Sequence, residues 1–406
     1  MNRLLLADPA SAPAEESMPA NALAFVSDAE TRAAVETAFS RLELESARIE
    51  NGDVRTAIER LGVERSPRLL VVDLEASQMP LSDIDELAEV CEPGVSVVAI
   101  GRRDEVALFR SLLERGVADY FVKPVPPELL AHSLRRAMEG MPTGRRTARL
   151  GRVVAVLGVR GGVGATTIAC GLAHMVASRH RRRVAVLDLD LHFGTVALSY
   201  DLDPVNGLRD VLERPEGLDP LLVERLGNSV SENLSAFAAE LPPGERWNPE
   251  PAAVEGVLDM LRHRFHYVFV DLPRHPQDLL IFALERADVV LFVVDLSLAS
   301  MRDTLRLSQL LTRVNPAARS LVLANRVGWL KGAEIDRSEF ERGIGRSIDH
   351  LVPFDGVRVV SAVNTGQLDH LARGRFAAAL ELVSHSLTGR QPSERRGLLG
   401  LLRRGR

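Results

Sequence analysis

Residues 153–173, VVAVLGVRGGVGATTIACGLA, pass from an apolar β-branched run into a glycine-rich turn and then into a helix that begins near Ala165. A strand that is apolar at every position is buried on both faces, which calls for a parallel sheet covered by helices on each side. Gly161, Gly162 and Gly164 permit left-handed backbone angles, so the N–H groups of the turn, that of Val163 included, close around an anion. The helix N-terminus adds partial positive charge pointing the same way. In this context the turn reads as a phosphate cradle. The Thr166 hydroxyl is placed to hold Mg2+ and that of Thr167 to reach an α-phosphate.

The alternation of strand and helix extends along the chain in two series. The first holds LAFVS (23–27), LLVVDL (69–74), VSVVAIG (95–101) and ADYFVKPV (118–125), with helical periodicity between them and a closing helix over 127–138. The second holds strands at 153–158, 183–190, 234–240, 267–272, 288–295 and 320–325, with helices including 165–179, 251–264, 300–314 and 376–387. Strict alternation predicts two doubly wound α/β domains, over 21–139 and 152–388. Between them GMPTGRRTARLG (140–151) lacks apolar periodicity and reads as a linker. Residues 1–20 read as a disordered leader and 389–406 as a basic tail.

At 406 residues the chain has room for two cores. Aromatics make up only 4%, which leaves little material for stacking on single-stranded nucleic acid. A net charge of −5 gives no overall attraction to DNA or to an anionic membrane. The basic cluster RHRRR (179–183) lies in a short helix–strand connection and reads as a solvated turn, so DNA is disfavoured as a partner. Cys91 and Cys170 fall in different series without near partners, which fits a reducing cytoplasm better than a disulfide framework or a zinc cluster. No run reaches the ~18 to 20 apolar residues that span a bilayer. The expected location is therefore cytoplasmic. The tail offers Leu398, Leu399, Leu401 and Leu402 beside several arginines, a pattern for peripheral contact with the inner membrane that Gly397 and Gly400 weaken.

Around the glycine-rich turn, other strand ends carry polar residues. VAVLDLD (184–190) ends with Asp188 and Asp190, YVFVDL (267–272) carries Asp271, and LVLAN (321–325) ends in Asn325. Together with these, VRGGVGATT (159–167) resembles the deviant Walker A motif of the MinD/ParA superfamily, close to G-K-G-G-x-G-K-T-T. Three positions depart from it: Val159 for the opening glycine, Arg160 for the signature lysine, and Ala165 for the lysine that touches the β- and γ-phosphates. The resemblance implies ATP and Mg2+ as cofactors and a homodimer as the working form. It implies that Asp190 orients the attacking water, that Asp188 helps to position Mg2+ through water, and that Asp271 is the Walker B aspartate. Asn325 would hydrogen-bond the base, and Pro353 and Phe354 would cover it. Arg160, in the signature position, would reach across the dimer to the partner's nucleotide. Loss of the lysine at 165 removes a contact of a type worth roughly 1.5–3 kcal/mol. Binding would survive on backbone amides and Mg2+, whereas hydrolysis would be slow or absent.

DLDLHFGTVALSYDLDPVNGLRDVLERPEGLD (188–219), DLPR (271–274) and SAVNTG (361–366) narrow the resemblance to the CpaE/TadZ family of type IVc (Flp/Tad) pilus assembly. It implies a localisation factor whose partners are pilus-assembly and secretion components, with a receiver-like, flavodoxin-like domain ahead of the P-loop domain. In that first domain Asp73 would occupy the phospho-acceptor position, and Lys123 the position of the lysine that contacts an acyl phosphate. Of the acidic pair expected after the first strand only Asp28 is present, beside Ser27, and Gly101 stands where a switch hydroxyl would be. These departures favour a pseudo-receiver that docks partners. Two rival readings for the whole chain are a scaffold with a degenerate nucleotide site and a DNA-partitioning ATPase.

Overall fold

The strands of the first series are short and apolar, and they stack side by side in parallel because helices return the chain to the same edge each time. The computed structural model describes residues 22–138 except 45 and 63, and residues 150–388 except 205–206, 214–225, 246–248, 331, 369–370 and 372. The leader, the tail with its membrane-contact pattern, and the linker up to residue 149 lie outside the described residues. The chain divides into two units, Met1–Arg149 and Leu150–Arg406.

In the first unit β1 (Ala22–Val26), β2 (Ala47–Asn51), β3 (Leu69–Asp73), β4 (Ser96–Gly101) and β5 (Val117–Val122) form one sheet in the order β2-β1-β3-β4-β5. Every pairing is parallel. This is the flavodoxin-like order. Side chains alternate across the sheet as the pleat requires. Leu23, Phe25, Leu70 and Val72 pack on one face, against helices Val54–Leu61 and Pro80–Val90. Ala22, Ala24, Val26, Leu69 and Val71 pack on the other, against Ala29–Arg41 and Pro127–Met138. Asp28 caps the first of these helices by accepting from the Thr31 N–H at 2.8 Å.

The second unit holds β6 (Arg152–Gly158), β7 (Val184–Asp188), β8 (Asn228–Ser231), β9 (Leu234–Phe237), β10 (Tyr267–Leu272), β11 (Val289–Val294), β12 (Arg319–Val327) and β13 (His350–Pro353). Their order is β13-β12-β11-β6-β10-β7-β9-β8, and only β8 on β9 is antiparallel. The chain leaves β6 towards β7 on one side and leaves β10 towards β11 on the other. The C-terminal end of β6 is thus the point where connections diverge, the place at which open α/β sheets bind ligands.

Val153, Ala155 and Leu157 of β6 face helices Pro251–Arg264 and Gln277–Arg286, while Val154 and Val156 face helices Ala165–His180 and Gly374–Thr388. Gly171 lets the last two helices approach: a Cβ there would stand 2.7 Å from Leu380 Cδ1. The doubly wound α/β class read from the alternation is the one observed. Among the described residues no helix is long and apolar enough to cross a membrane.

Candidate nucleotide site and the carboxylate cluster of the first unit

β6 ends at Gly158, whose missing side chain lets the turn fold back: a Cβ there would lie 3.2 Å from the Ala165 Cβ. Val159 is buried and donates its N–H to Val293 O at 3.1 Å, which ties the start of the turn to β11. Gly162 and Gly164 take φ of +80° and +87°, angles that side chains disfavour. Val163 is buried beneath the turn, whereas Arg160, Gly161 and Gly162 are exposed. Nothing lies within 4 Å of a Cβ built on Gly161 or Gly162, so the turn is uncovered at these two residues. Thr166 and Thr167 are half-buried in the first turn of the helix, behind Ala165.

The carboxylates converge on this turn because β7 and β10 are neighbours in register, with Asp188 opposite Asp271. The Thr166 hydroxyl donates to Asp271 Oδ2 at 2.6 Å. Asp188 accepts from the N–H groups of Asp190 at 3.0 Å and Val196 at 3.2 Å. Burial, reinforced by the charge of Asp271, pushes Asp188 up to about 8. Burial also raises Asp271, to about 6, with the Thr166 hydrogen bond opposing and the Asp190 charge adding to the rise. Two buried carboxylates whose ionisation burial disfavours, next to a hydroxyl and a glycine turn, are a donor set suited to a hard divalent cation and a phosphate. Asp190 is half-exposed, and its Oδ1 accepts from the Phe193 N–H at 3.1 Å. Gly194 follows, and any side chain there would collide with the Asp188 carboxylate.

On the far side of the turn, the Asn325 amide donates to Val163 O at 2.8 Å and so braces the turn itself. Beyond it the pairing of β12 with β13 shifts register, and Arg326 adopts φ +57°. Pro353 ends β13, and the Phe354 N–H bonds Val327 O at 3.0 Å. The Phe354 ring lies 5.9 Å from that of Trp329, and both are exposed. The Arg326 guanidinium sits 5.5 Å over Trp329. Neither Arg326 nor Trp329 belongs to a local motif; the turn of chain that ends β12 brings them here.

No family model matches the chain. The uncharacterized protein Rv3660c of Mycobacterium tuberculosis is 30% identical over 220 residues, 52% of this chain and 58% of that protein. The chain thus spans less than two thirds of that curated relative. Among solved structures, a ParA family ATPase from Chlorobium tepidum is matched at TM-score 0.54 and 22% identity, over 59% of this chain and 99% of that one. The septum site-determining protein MinD of Pyrococcus horikoshii, solved with Mg-ADP, is matched at TM-score 0.50 and 19% identity, over 59% and 96%. The second unit has the MinD/ParA P-loop fold. The CpaE pilus assembly protein of Caulobacter crescentus is 31% identical but covers only 29% of this chain, at TM-score 0.27.

Of the three departures from the motif, Val159, Arg160 and Ala165, the last is the one that removes a charge. The Ala165 side chain is a methyl packed against the core, and it adds no charge to the turn. What the turn keeps is backbone N–H groups, the helix terminus and the Thr166–Asp271 pair.

In the first unit Lys123, from the chain just after β5, reaches Asp28 Oδ2 at 2.6 Å, Asp73 Oδ2 at 2.6 Å and Glu75 Oε2 at 2.7 Å. Asp73 is fully buried and also accepts from the Ser27 hydroxyl at 2.6 Å. Glu75, which no motif singled out, lies two residues past the end of β3 and brings a third carboxylate. Arg102 contacts its other oxygen. Burial alone would raise Asp28, yet the Lys123 ammonium and the Thr31 N–H and hydroxyl hold it well below the usual carboxylate range. Burial alone would likewise lower Lys123, and its three carboxylate partners instead hold it far above the usual range. Gly101 has no side chain where a switch hydroxyl would stand. The Tyr120 hydroxyl fills that space, 2.6 Å from where a Cβ would be, and donates to Arg103 O at 3.0 Å.

Proposed function

We propose that the chain is a nucleotide-controlled localisation factor. In this reading the second unit binds ATP with Mg2+, dimerises in that state, and hydrolyses slowly or not at all. The observation that carries it is the Thr166 hydroxyl bonded to the buried Asp271 at the mouth of a glycine turn. Backbone N–H groups from Gly161 to Thr167 would hold the phosphates, Thr166, Asp188 and Asp271 would hold Mg2+ directly or through water, and Asp190 would orient water. Asn325 would brace the cradle and offer its remaining oxygen to the base, with Pro353 and Phe354 beside it. Bound Mg2+ would supply charge compensation for the triphosphate. Arg160, exposed at the rim, would reach the partner's nucleotide in a dimer.

Type IVc (Flp/Tad) pilus assembly is the context we assign, on the strength of the segments 188–219, 271–274 and 361–366. The first unit then serves as a pseudo-receiver that docks assembly components, with Lys123 neutralising the carboxylates where a receiver would hold a cation. Light scattering of the full chain with and without MgATP tests the switch. MgATP should double the mass, and Arg160→Ala should not respond; a mass indifferent to nucleotide sinks the reading. The absence of a lysine at 165 favours one rival, a scaffold that keeps the ATPase shape without nucleotide, and the same measurement separates the two.

A further inference from the structure

We propose that Arg326 supplies, from within the same chain, the positive charge that Ala165 does not give to the nucleotide phosphates. The inference rests on the nucleotide-switch reading above. A phosphate cradle without a side-chain cation leaves several negative charges to be met by N–H groups and one metal ion. Arg326 is placed to meet that need. Its Nη2 and Nε lie 3.8 Å and 3.9 Å from where a Cβ on Gly164 would stand, so the guanidinium flanks the last glycine of the cradle.

Three features put it there. The register of β12 against β13 shifts between Ala324 and Val327, so Asn325 and Arg326 lie in an irregularity of the strand before pairing resumes at Val327. Arg326 then takes a left-handed φ of +57°, a conformation that costs a β-region arginine free energy and persists only where the surroundings impose it. Asn325, one residue earlier, locks this bend to the cradle through its bond to Val163 O. Gly164 admits the approach, since a Cβ there would stand 2.7 Å from the Asn325 amide nitrogen.

Among the described residues the guanidinium has no carboxylate partner. It rests over the Trp329 ring, a contact that orients the plane and leaves the N–H donors unspent. A planar fork of donors is suited to two phosphate oxygens at once. Arg160 starts from the opposite, exposed end of the turn and by resemblance serves the other protomer. Arg326 would therefore serve the chain's own nucleotide, in the monomer as well as in the dimer.

The test is calorimetric titration of the full chain with MgATP and, separately, with adenosine. Wild type, Arg326→Met and Arg326→Lys are compared, and the methionine change is repeated on an Ala165→Lys background. Arg326→Met should weaken MgATP by about 10- to 100-fold, the range for a charge-assisted bond, and leave adenosine unchanged. Arg326→Lys, which keeps the charge but not the fork, should recover only part of the affinity, and on the Ala165→Lys background the loss should shrink to a few-fold. Wild-type binding of MgATP that Arg326→Met leaves intact overturns this inference alone. So does an equal loss for adenosine, which would place the arginine on the base. Absence of MgATP binding in the wild type overturns the nucleotide reading itself.

Discussion

Thr166 Oγ1 donates to Asp271 Oδ2 across 2.6 Å, which joins the first turn of the helix after the glycine turn to the end of the neighbouring strand. The bond does two things at once. It fixes the hydroxyl rotor of Thr166 beside the cradle, and it stabilises the ionised form of a carboxylate that burial pushes the other way. Thr166→Ala should therefore leave Asp271 more readily protonated. The expected outcome is a loss of Mg2+-dependent ATP binding of about tenfold or more, with stability reduced by about 1 kcal/mol. Calorimetric titration with and without Mg2+, beside a denaturation curve, checks both.

Stability without metal should depend on pH in an unusual direction. Asp188 and Asp271 both have folded-state pKa values above those of an unfolded chain, near 8 and 6. The folded protein then binds more protons than the unfolded one between about pH 4 and pH 8, so this pair's contribution falls as pH rises through that window. Metal-free protein should melt at a lower temperature at pH 8 than at pH 6. The double variant Asp188→Asn, Asp271→Asn should flatten that part of the profile, and MgATP should reverse it. Thermal melts across pH 5–8 decide; an unchanged slope in the double variant contradicts the assignment.

Gly194 should tolerate no side chain. Any Cβ would displace the Asp188 carboxylate, so Gly194→Ala is expected to cost about 1–3 kcal/mol in overpacking and to weaken Mg2+-dependent binding. Gly244, also in the second unit, has φ +106° and open space around it, and it is the control: Gly244→Ala should cost backbone strain and leave nucleotide binding alone.

In the first unit Lys123→Met would leave Asp28 and Asp73 without a cation and Glu75 with Arg102 alone. Lys123 and Asp73 are almost wholly buried, so removing one partner should cost about 3–5 kcal/mol. Adding Asp73→Asn should recover part of it. Asp28 and Glu75 are held below their usual values, so their contribution is present above pH ~4 and is lost on acidification. Denaturant titration at pH 7 and at about pH 2 reads both effects.

Much of the fold was legible because buried parallel strands are written as unbroken apolar runs. β1, β3, β6, β10 and β11 carry that signature and are buried along all or nearly all of their length. β2 and β8 escaped notice because edge strands bury one side at most: ARIEN and NSVS read as polar connections. β13 is four residues long and merges into the loop that follows. At the candidate nucleotide face, the glycine turn and Asp271 announce themselves as local patterns at strand ends. Arg326, Trp329, Glu75 and Gly194 do not, because their significance lies in contacts across distant segments. Gly164 meets Arg326 only after β12 is laid beside β11 in the sheet. Glu75 acquires meaning only when Lys123, 48 positions later and just past β5, arrives beside it.

The central claim, that the second unit binds nucleotide despite Ala165, is tested most directly by titrating the full chain with a fluorescent ATP analogue in Mg2+. Saturable binding that disappears in Asp271→Ala, with the fold of that variant intact, is the expected result. No binding by the wild-type chain at millimolar nucleotide would contradict the claim and leave a scaffold that retains the ATPase shape for its surfaces alone.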